Sequence, residues 1–175
     1  MPAYHVIWVT HNTRLSERMI TFNIQMGEPV LMTPDMEIEV AESVLRSVRH
    51  NRLCVLAYNS CEHHIHMILV CHRKRRDAVV GRLKTEATQR YKSRHNIADE
   101  YHLWGQKYPH RLIDNEQYLW NCMRYIRKNR EWHNLQPIPD LQSIVDRMIT
   151  PIEKVRQWWG PAFAPSPRAA GDGGM

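Results

Sequence analysis

The chain has 175 residues, a formal net charge of +6 and a pI of about 9.3. At 43% hydrophobic it can build a core, and no apolar run approaches the roughly 18 residues of a membrane span, so no membrane-spanning helix is expected. The basic excess favours a polyanionic partner, most commonly nucleic acid.

The opening "MPAYHVIWVTHNTR" has neither the basic n-region nor the apolar h-region of a signal peptide, so a soluble intracellular protein is expected. Tyr4 to Thr10 is rich in β-branched and aromatic residues and reads as a first strand. Arg14 to Pro34, with Gly27, Pro29 and Pro34, reads as a long irregular excursion. A helix follows, capped by Thr33 or Asp35, with Glu37 and Glu39 at its positive end. Ile38, Ala41, Val44, Leu45 and Val48 fall on one face of it. "RLCVLAYNS" and "HHIHMILVC" are strands two and three of a hairpin. "DAVVGRLKTEATQRYKSRHN" is a second long helix, with Val79, Val80, Leu83, Ala87 and Tyr91 inward and Arg82, Lys84, Arg90, Lys92 and Arg94 outward. "YPHRLI" is a fourth strand, and "DNEQYLWNCMRYIRKNREW" is a helix capped by Asp114 or Asn115.

This order predicts an α+β, ferredoxin-like (split βαβ) antiparallel sheet with helices on one face plus a C-terminal catalytic helix. Residues 1–135 form the predicted domain. Residues 136–175 are a C-terminal extension with a short helix at "LQSIVDRMI" and a Pro/Gly/Ala-rich end expected to be disordered. Cys54, Cys61, Cys71 and Cys122 show no C-x-x-C spacing, which speaks against a zinc ribbon and for a reducing cytoplasm.

The chemistry concentrates in two places. In "EHHIHMILV" the alternation of a strand puts His64 and His66 on one face, about 6–7 Å apart, a spacing at which two imidazoles can grip one metal ion. His63 points away from that pair. In "RYIRKN" Tyr125 and Asn129 stand four apart on one helical face. Asn129 offers a hard amide oxygen for Mg²⁺ or Mn²⁺, and Tyr125 a phenol nucleophile. Arg124, Arg127 and Lys128 surround that tyrosine with positive charge. A basic stripe, Arg73, Lys74, Arg75, Arg76, Arg82, Lys84 and Arg90, runs from strand three into the second helix and suits phosphate contact. Trp104, Tyr108, Trp120, Trp132, Trp158 and Trp159 are candidates for stacking on unpaired bases, with the tail pair the expected exposed ones.

Taken together, the H-x-H strand, the Tyr-x-x-x-Asn helix, the "YHV" opening strand and "HLWGQKYPHRLID" resemble the IS200-like HUH single-tyrosine transposases, and within them the REP-associated tyrosine transposases. The resemblance covers about Tyr4 to Asn129. It departs where His63 stands in place of Asn or Asp, and where Arg130 stands in place of proline. It implies that His64, His66 and Asn129 bind one divalent cation (Mg²⁺ or Mn²⁺) and that Tyr125 attacks a phosphodiester. The product would be a 5′-phosphotyrosine in single-stranded DNA next to a hairpin. It further implies a cytoplasmic, nucleoid-associated monomer or homodimer acting in DNA transposition and recombination. Two other readings compete: a domesticated hairpin-DNA-binding protein without strand transfer, and a metal-dependent nuclease that uses water. No H-E-x-x-H pattern supports a zinc hydrolase.

Overall fold

A computed structural model describes residues 1–14, 17–25 and 27–159. The Pro/Gly/Ala-rich end, for which disorder is expected, lies outside the described residues, as do Leu15, Ser16 and Met26 of the excursion.

The elements in chain order are β1 (Ala3–Val9), α1 (Glu17–Thr21), α2 (Pro34–His50), β2 (Cys54–Cys61), β3 (His64–Val70), a 3₁₀ turn (Arg73–Arg75), α3 (Arg76–His95), β4 (His110–Ile113), α4 (Glu116–Trp132), α5 (Pro139–Met148) and α6 (Glu153–Arg156). The sheet order is β2-β3-β1-β4, with each pair antiparallel. This is the ferredoxin-like arrangement expected from the element order. Among the described residues of the excursion predicted as irregular, α1 forms one short helical turn.

Side-chain alternation divides the sheet into two apolar faces. Tyr4, Val6 and Trp8 of β1 join Ile65, Met67 and Leu69 of β3 under α2, α3 and α5. Ala3, Ile68 and Val70 face the other way, against Leu119, Cys122 and Ile126 of α4 and Ile152 and Val155 near the C-terminus. The helices therefore sandwich the sheet, and α4, with Val155 of the short α6, covers the face that carries the H-x-H pair.

Helix α2 starts where Thr33 accepts the Met36 N–H at 3.3 Å, with Pro34 in the first turn, where its missing N–H costs nothing. Of the predicted face, Ala41, Val44, Leu45 and Val48 are buried, joined by Val40, while Ile38 is only partly buried at its edge. Each fully buried large aliphatic side chain contributes about 1.5–3 kcal/mol. Helix α4 starts at Asn115, whose side chain accepts the Tyr118 N–H at 2.7 Å. Along α3, Val80, Leu83 and Ala87 are buried as expected. Lys84, expected outward, is instead half-buried: its ammonium donates to Gly105 O at 2.5 Å and fastens the loop before β4. Lys92 likewise turns back, onto Asp99 O.

One irregularity sets the site. Strand β2 carries a bulge between Val55 and Ala57, so Leu56 and Ala57 both face α4. Beyond it the alternation is reset. Tyr58 and Ser60 turn toward α2, and Asn59 and Cys61 toward α4.

Candidate active site

His64 and His66 sit on the first turns of the pleat in β3, directly beneath α4. Each is only 3% exposed. Their ring centroids are 4.7 Å apart. Asn129, 1% exposed, reaches down from α4 and places Oδ1 2.9 Å from His64 Nε2. The Cys61 thiol donates to the same oxygen at 2.9 Å. Tyr125, one turn earlier, lies edge-on to His66 with centroids 5.1 Å apart. The four residues singled out in two distant motifs thus meet in one place, within one chain. Helix α4 is held over them by Asn59, whose side-chain amide donates to Ile126 O at 2.7 Å.

Burial and neighbouring rings keep the imidazoles neutral. Burial, then the neighbouring His63 ring, pushes His64 down to about 4. Burial, then His64 and His5, pushes His66 down to about 3. Both are neutral at pH 7, with lone pairs available. The cluster is not internally satisfied. Buried His64 Nδ1 and Asn129 Nδ2 have no partner among the described residues. Among the described residues no three His, Cys, Asp or Glu side chains are grouped to hold a metal ion. A three-ligand site here therefore needs the Asn129 amide oxygen beside the two imidazoles. Two neutral nitrogens and one hard oxygen fit a divalent cation of the Mn²⁺ or Mg²⁺ kind.

Several neighbours were not legible from motif spacing. His5 of β1 lies with Nε2 2.9 Å from His66 Nδ1, and its ring is 6.1 Å from Tyr125. Such a contact fixes which His66 nitrogen remains free. His133 follows Asn129 by four residues and lies 5.0 Å from His64. His63, expected to point away, instead packs 4.6 Å from His64 and 5.6 Å from His133, because the tight β2–β3 turn folds its ring back. The signal for His5 is its parity on β1, but its approach to His66 depends on the β1–β3 register.

Arg130 is the largest omission. Its guanidinium donates to Glu37 Oε2 at 2.6 Å, to Ser60 O at 2.9 Å, and to Gln136 O at 3.0 and 2.9 Å. Ser60 Oγ donates to the same carboxylate at 2.6 Å. Glu37, read as an acid at the helix start, is 1% exposed. Arg130 thus spans from the edge strand β2 to α2 and ties down the end of α4 that carries Asn129.

The predicted basic residues fall into two groups. Arg124, Arg127 and Lys128 are exposed on α4 beside Tyr125. Arg73, Lys74 and Arg75 lie beyond the far end of β3, roughly 20 Å along the strand from His64. Arg82 and Arg90 lie on α3, across the sheet from α4. Arg82 donates to Asn51 Oδ1 at 2.7 Å, and Arg90 lines a cleft of about 490 Å³ with Glu39, Glu42 and Glu86. Arg76 is largely buried over the Tyr4 ring and bonded to Asp77 and Tyr108. The aromatic candidates also divide. Trp104 is buried edge-to-face on Trp8, and Tyr108 is engaged by Arg76 and Asp77. Trp120, Trp132 and Trp158 are exposed, so exposure is not confined to the tail pair. Trp159 donates to Met1 O at 2.8 Å.

None of the curated proteins compared with the chain matches it. Among the solved structures similar to the chain are these two. One is a REP-associated tyrosine transposase bound to a REP hairpin, 13% identical, covering 99% of this chain and 93% of that one with a TM-score of 0.49. The other is a Deinococcus radiodurans R1 protein assigned as a transposase, 18% identical, covering 72% and 88% with a TM-score of 0.42. The family model described as "Transposase IS200 like" matches residues 2–129, from the residue before β1 to Asn129 itself. The chain belongs to the family of IS200-like transposases.

Proposed function

We propose that the protein is a metal-dependent single-strand DNA endonuclease and strand transferase, acting next to hairpins in DNA transposition. The observation that carries this reading is the convergence of Tyr125, His64, His66 and Asn129 at the α4–β3 contact. It is supported by the family to which the chain belongs. The asparagine at the end of Tyr-x-x-x-Asn resembles the REP-associated branch more than the other members of the family.

His64, His66 and Asn129 hold one divalent cation, Mg²⁺ or Mn²⁺. When bound, such an ion supplies Lewis-acid and template chemistry at a phosphate. The Tyr125 oxygen attacks the scissile phosphorus in line. The new bond is Tyr O–P, the bond broken is P–O3′, and the departing 3′ oxygen takes up a proton. The 5′ end of one fragment is then joined to Tyr125, and the other fragment keeps a free 3′-OH. A 3′-OH can reverse the step and rejoin strands, because the phosphodiester bond has been exchanged and not hydrolysed. Arg124, Arg127 and Lys128 guide the sugar-phosphate chain to Tyr125. Arg73, Lys74, Arg75, Arg82 and Arg90 add sequence-independent phosphate contacts on the remaining surface.

The test uses 5′- and 3′-end-labelled single-stranded hairpin libraries with Mn²⁺ or Mg²⁺. Denaturing gels are run before and after protease, beside Tyr125→Phe. The expected result is a 3′-side fragment covalently attached to the protein, absent in Tyr125→Phe. Cleavage without attachment would replace this reading with a water-using nuclease. Binding without any cleavage would replace it with a hairpin-binding protein.

A further inference from the structure

Trp132 is the last residue of α4 and is 56% exposed. Its ring centroid lies 4.8 Å from that of Tyr125, with the planes tilted by 56°. The other exposed tryptophan of this helix, Trp120, donates its indole N–H to Glu116 at 3.1 Å and lies more than a turn before Tyr125. Trp132 stands seven residues after Tyr125 and four after Lys128, so all three share one side of α4. The Lys128 side chain is 52% exposed, and its ammonium lies 3.9 Å from the exposed Glu131 carboxylate, a loose surface pair that a phosphate can displace. An indole with more than half its surface open adds little to the core. Beside a nucleophile and an ammonium it makes a flat apolar face next to a phosphate-binding edge.

We propose that Trp132 is the stacking platform for the unpaired nucleobase adjacent to the scissile phosphate. This inference rests on the reading of Tyr125 as nucleophile. Charge complementarity selects the occupant: a nucleotide offers a π-face to the indole and an anionic phosphate to Lys128 and Arg124 on the same helix. A stacked base restrains its own nucleotide, so the adjoining phosphorus is held within reach of the Tyr125 oxygen. Stacking is tolerant of base identity, so Trp132 positions the strand without reading its sequence.

The test uses the full chain and a hairpin oligonucleotide with single-stranded thymidine flanks on both sides. Binding is titrated in a Tyr125→Phe background, where no adduct intervenes, with Trp132 intact and with Trp132→Ala, Trp132→Leu and Trp132→Tyr. Stacking contributes about 1–3 kcal/mol per base, which corresponds to roughly 5- to 150-fold in affinity. Trp132→Ala and Trp132→Leu are expected to lose affinity in that range, and Trp132→Tyr to keep most of it. Leucine preserves apolar bulk, so it separates stacking from packing, and a thermal melt of each variant checks the fold. An abasic scan of the flanks then locates the contact. The Trp132-to-Ala difference should vanish when the abasic nucleotide adjoins the phosphate that becomes attached in the Tyr125 protein. Equal affinity for Trp132 and Trp132→Ala overturns the platform. So does a difference that survives every abasic position, or one that vanishes at a position remote from the attached phosphate. Failure of the nucleophile reading looks different: no adduct forms in the Tyr125 protein, whatever Trp132 does to binding. The assignment to the scissile position then falls with it.

Discussion

Asn129 and Arg130 are neighbours on α4 and enter two polar regions of opposite character. Arg130, Glu37 and Ser60 form a closed network. The carboxylate receives two donors at 2.6 Å, and the guanidinium reaches Ser60 O and Gln136 O as well. Asn129, His64 and His66 form an open one, in which His64 Nδ1 and Asn129 Nδ2 are buried without partners among the described residues. Buried polar groups are normally paired, and an unpaired one costs about 1–3 kcal/mol. The closed network is satisfied within the chain and the open one is not. The same helix supplies both, so the geometry of the open side is referred to an anchor one residue away.

The contrast predicts opposite consequences for activity and stability. The largest effect is on the open side. His64→Ala should lower adduct formation by at least about 100-fold, since even neighbours of metal ligands cost 10- to 100-fold. Its unfolding free energy without metal should fall by less than about 1 kcal/mol on denaturant titration. A large loss of stability would show that the imidazole is a packing residue. On the closed side, Glu37→Gln leaves the Arg130 guanidinium, 13% exposed, without its counter-ion. Breaking such a pair costs about 3–5 kcal/mol, and the remaining carbonyl partners place this one near the lower figure. A loss below about 1 kcal/mol on urea unfolding would remove the anchor from the account.

Acid distinguishes the regions next. His64 and His66 are held at about 4 and about 3 in the folded chain, below the ordinary 6.5. Between those values the unfolded chain binds more protons, so stability rises with pH there. The metal-free protein should be fully stabilised above pH 6.5 and lose stability as pH falls toward 4. The slope is at most about 1.4 kcal/mol per pH unit for each histidine. His64→Gln should flatten that limb of a urea-midpoint profile, and an unchanged slope would contradict the neutral assignment. Smaller still is the cost of emptying the closed network together. The double variant Glu37→Met with Arg130→Met should lose only about 1 kcal/mol, well short of the sum of the singles, because neither charge is stranded. Additive losses would mean that the two side chains act separately. Thr33→Ala removes the cap side chain at the start of α2 while leaving every side chain of both networks in place, and should cost about 1 kcal/mol, read as a fall in thermal stability.

The parts legible from residues alone are those governed by local periodicity. The H-x-H pair shares a face because a strand alternates, and Tyr125 and Asn129 share one because a helix turns every 3.6 residues. Thr33 and Asn115 cap helices because their oxygens can reach the free N–H groups of the first turn. The illegible parts depend on distance in space. Glu37 meets Arg130 across 93 residues, and a glutamate in a first helical turn looks like a solvated one until β2 and α4 close over it. Trp104 and Trp132 are the same residue type in similar polar stretches. Packing against Trp8 buries the first, and the end of α4 leaves the second open.

The sequence by itself determined which segments pair, which side of β3 holds the imidazoles, and which residues of α4 can face them. Backbone sterics and apolar periodicity act over a few residues, so those choices are local. Only the tertiary structure decided that the bulge at Val55–Ala57 would turn Cys61 to Asn129 and Ser60 to Glu37. It alone brought His5, His63 and His133 around the pair. It also set most of the basic stripe away from the α4 face that carries Tyr125. Strand register, helix docking and the desolvation that holds the histidines neutral arise when distant segments exclude water from one another, and no short window of residues encodes that event.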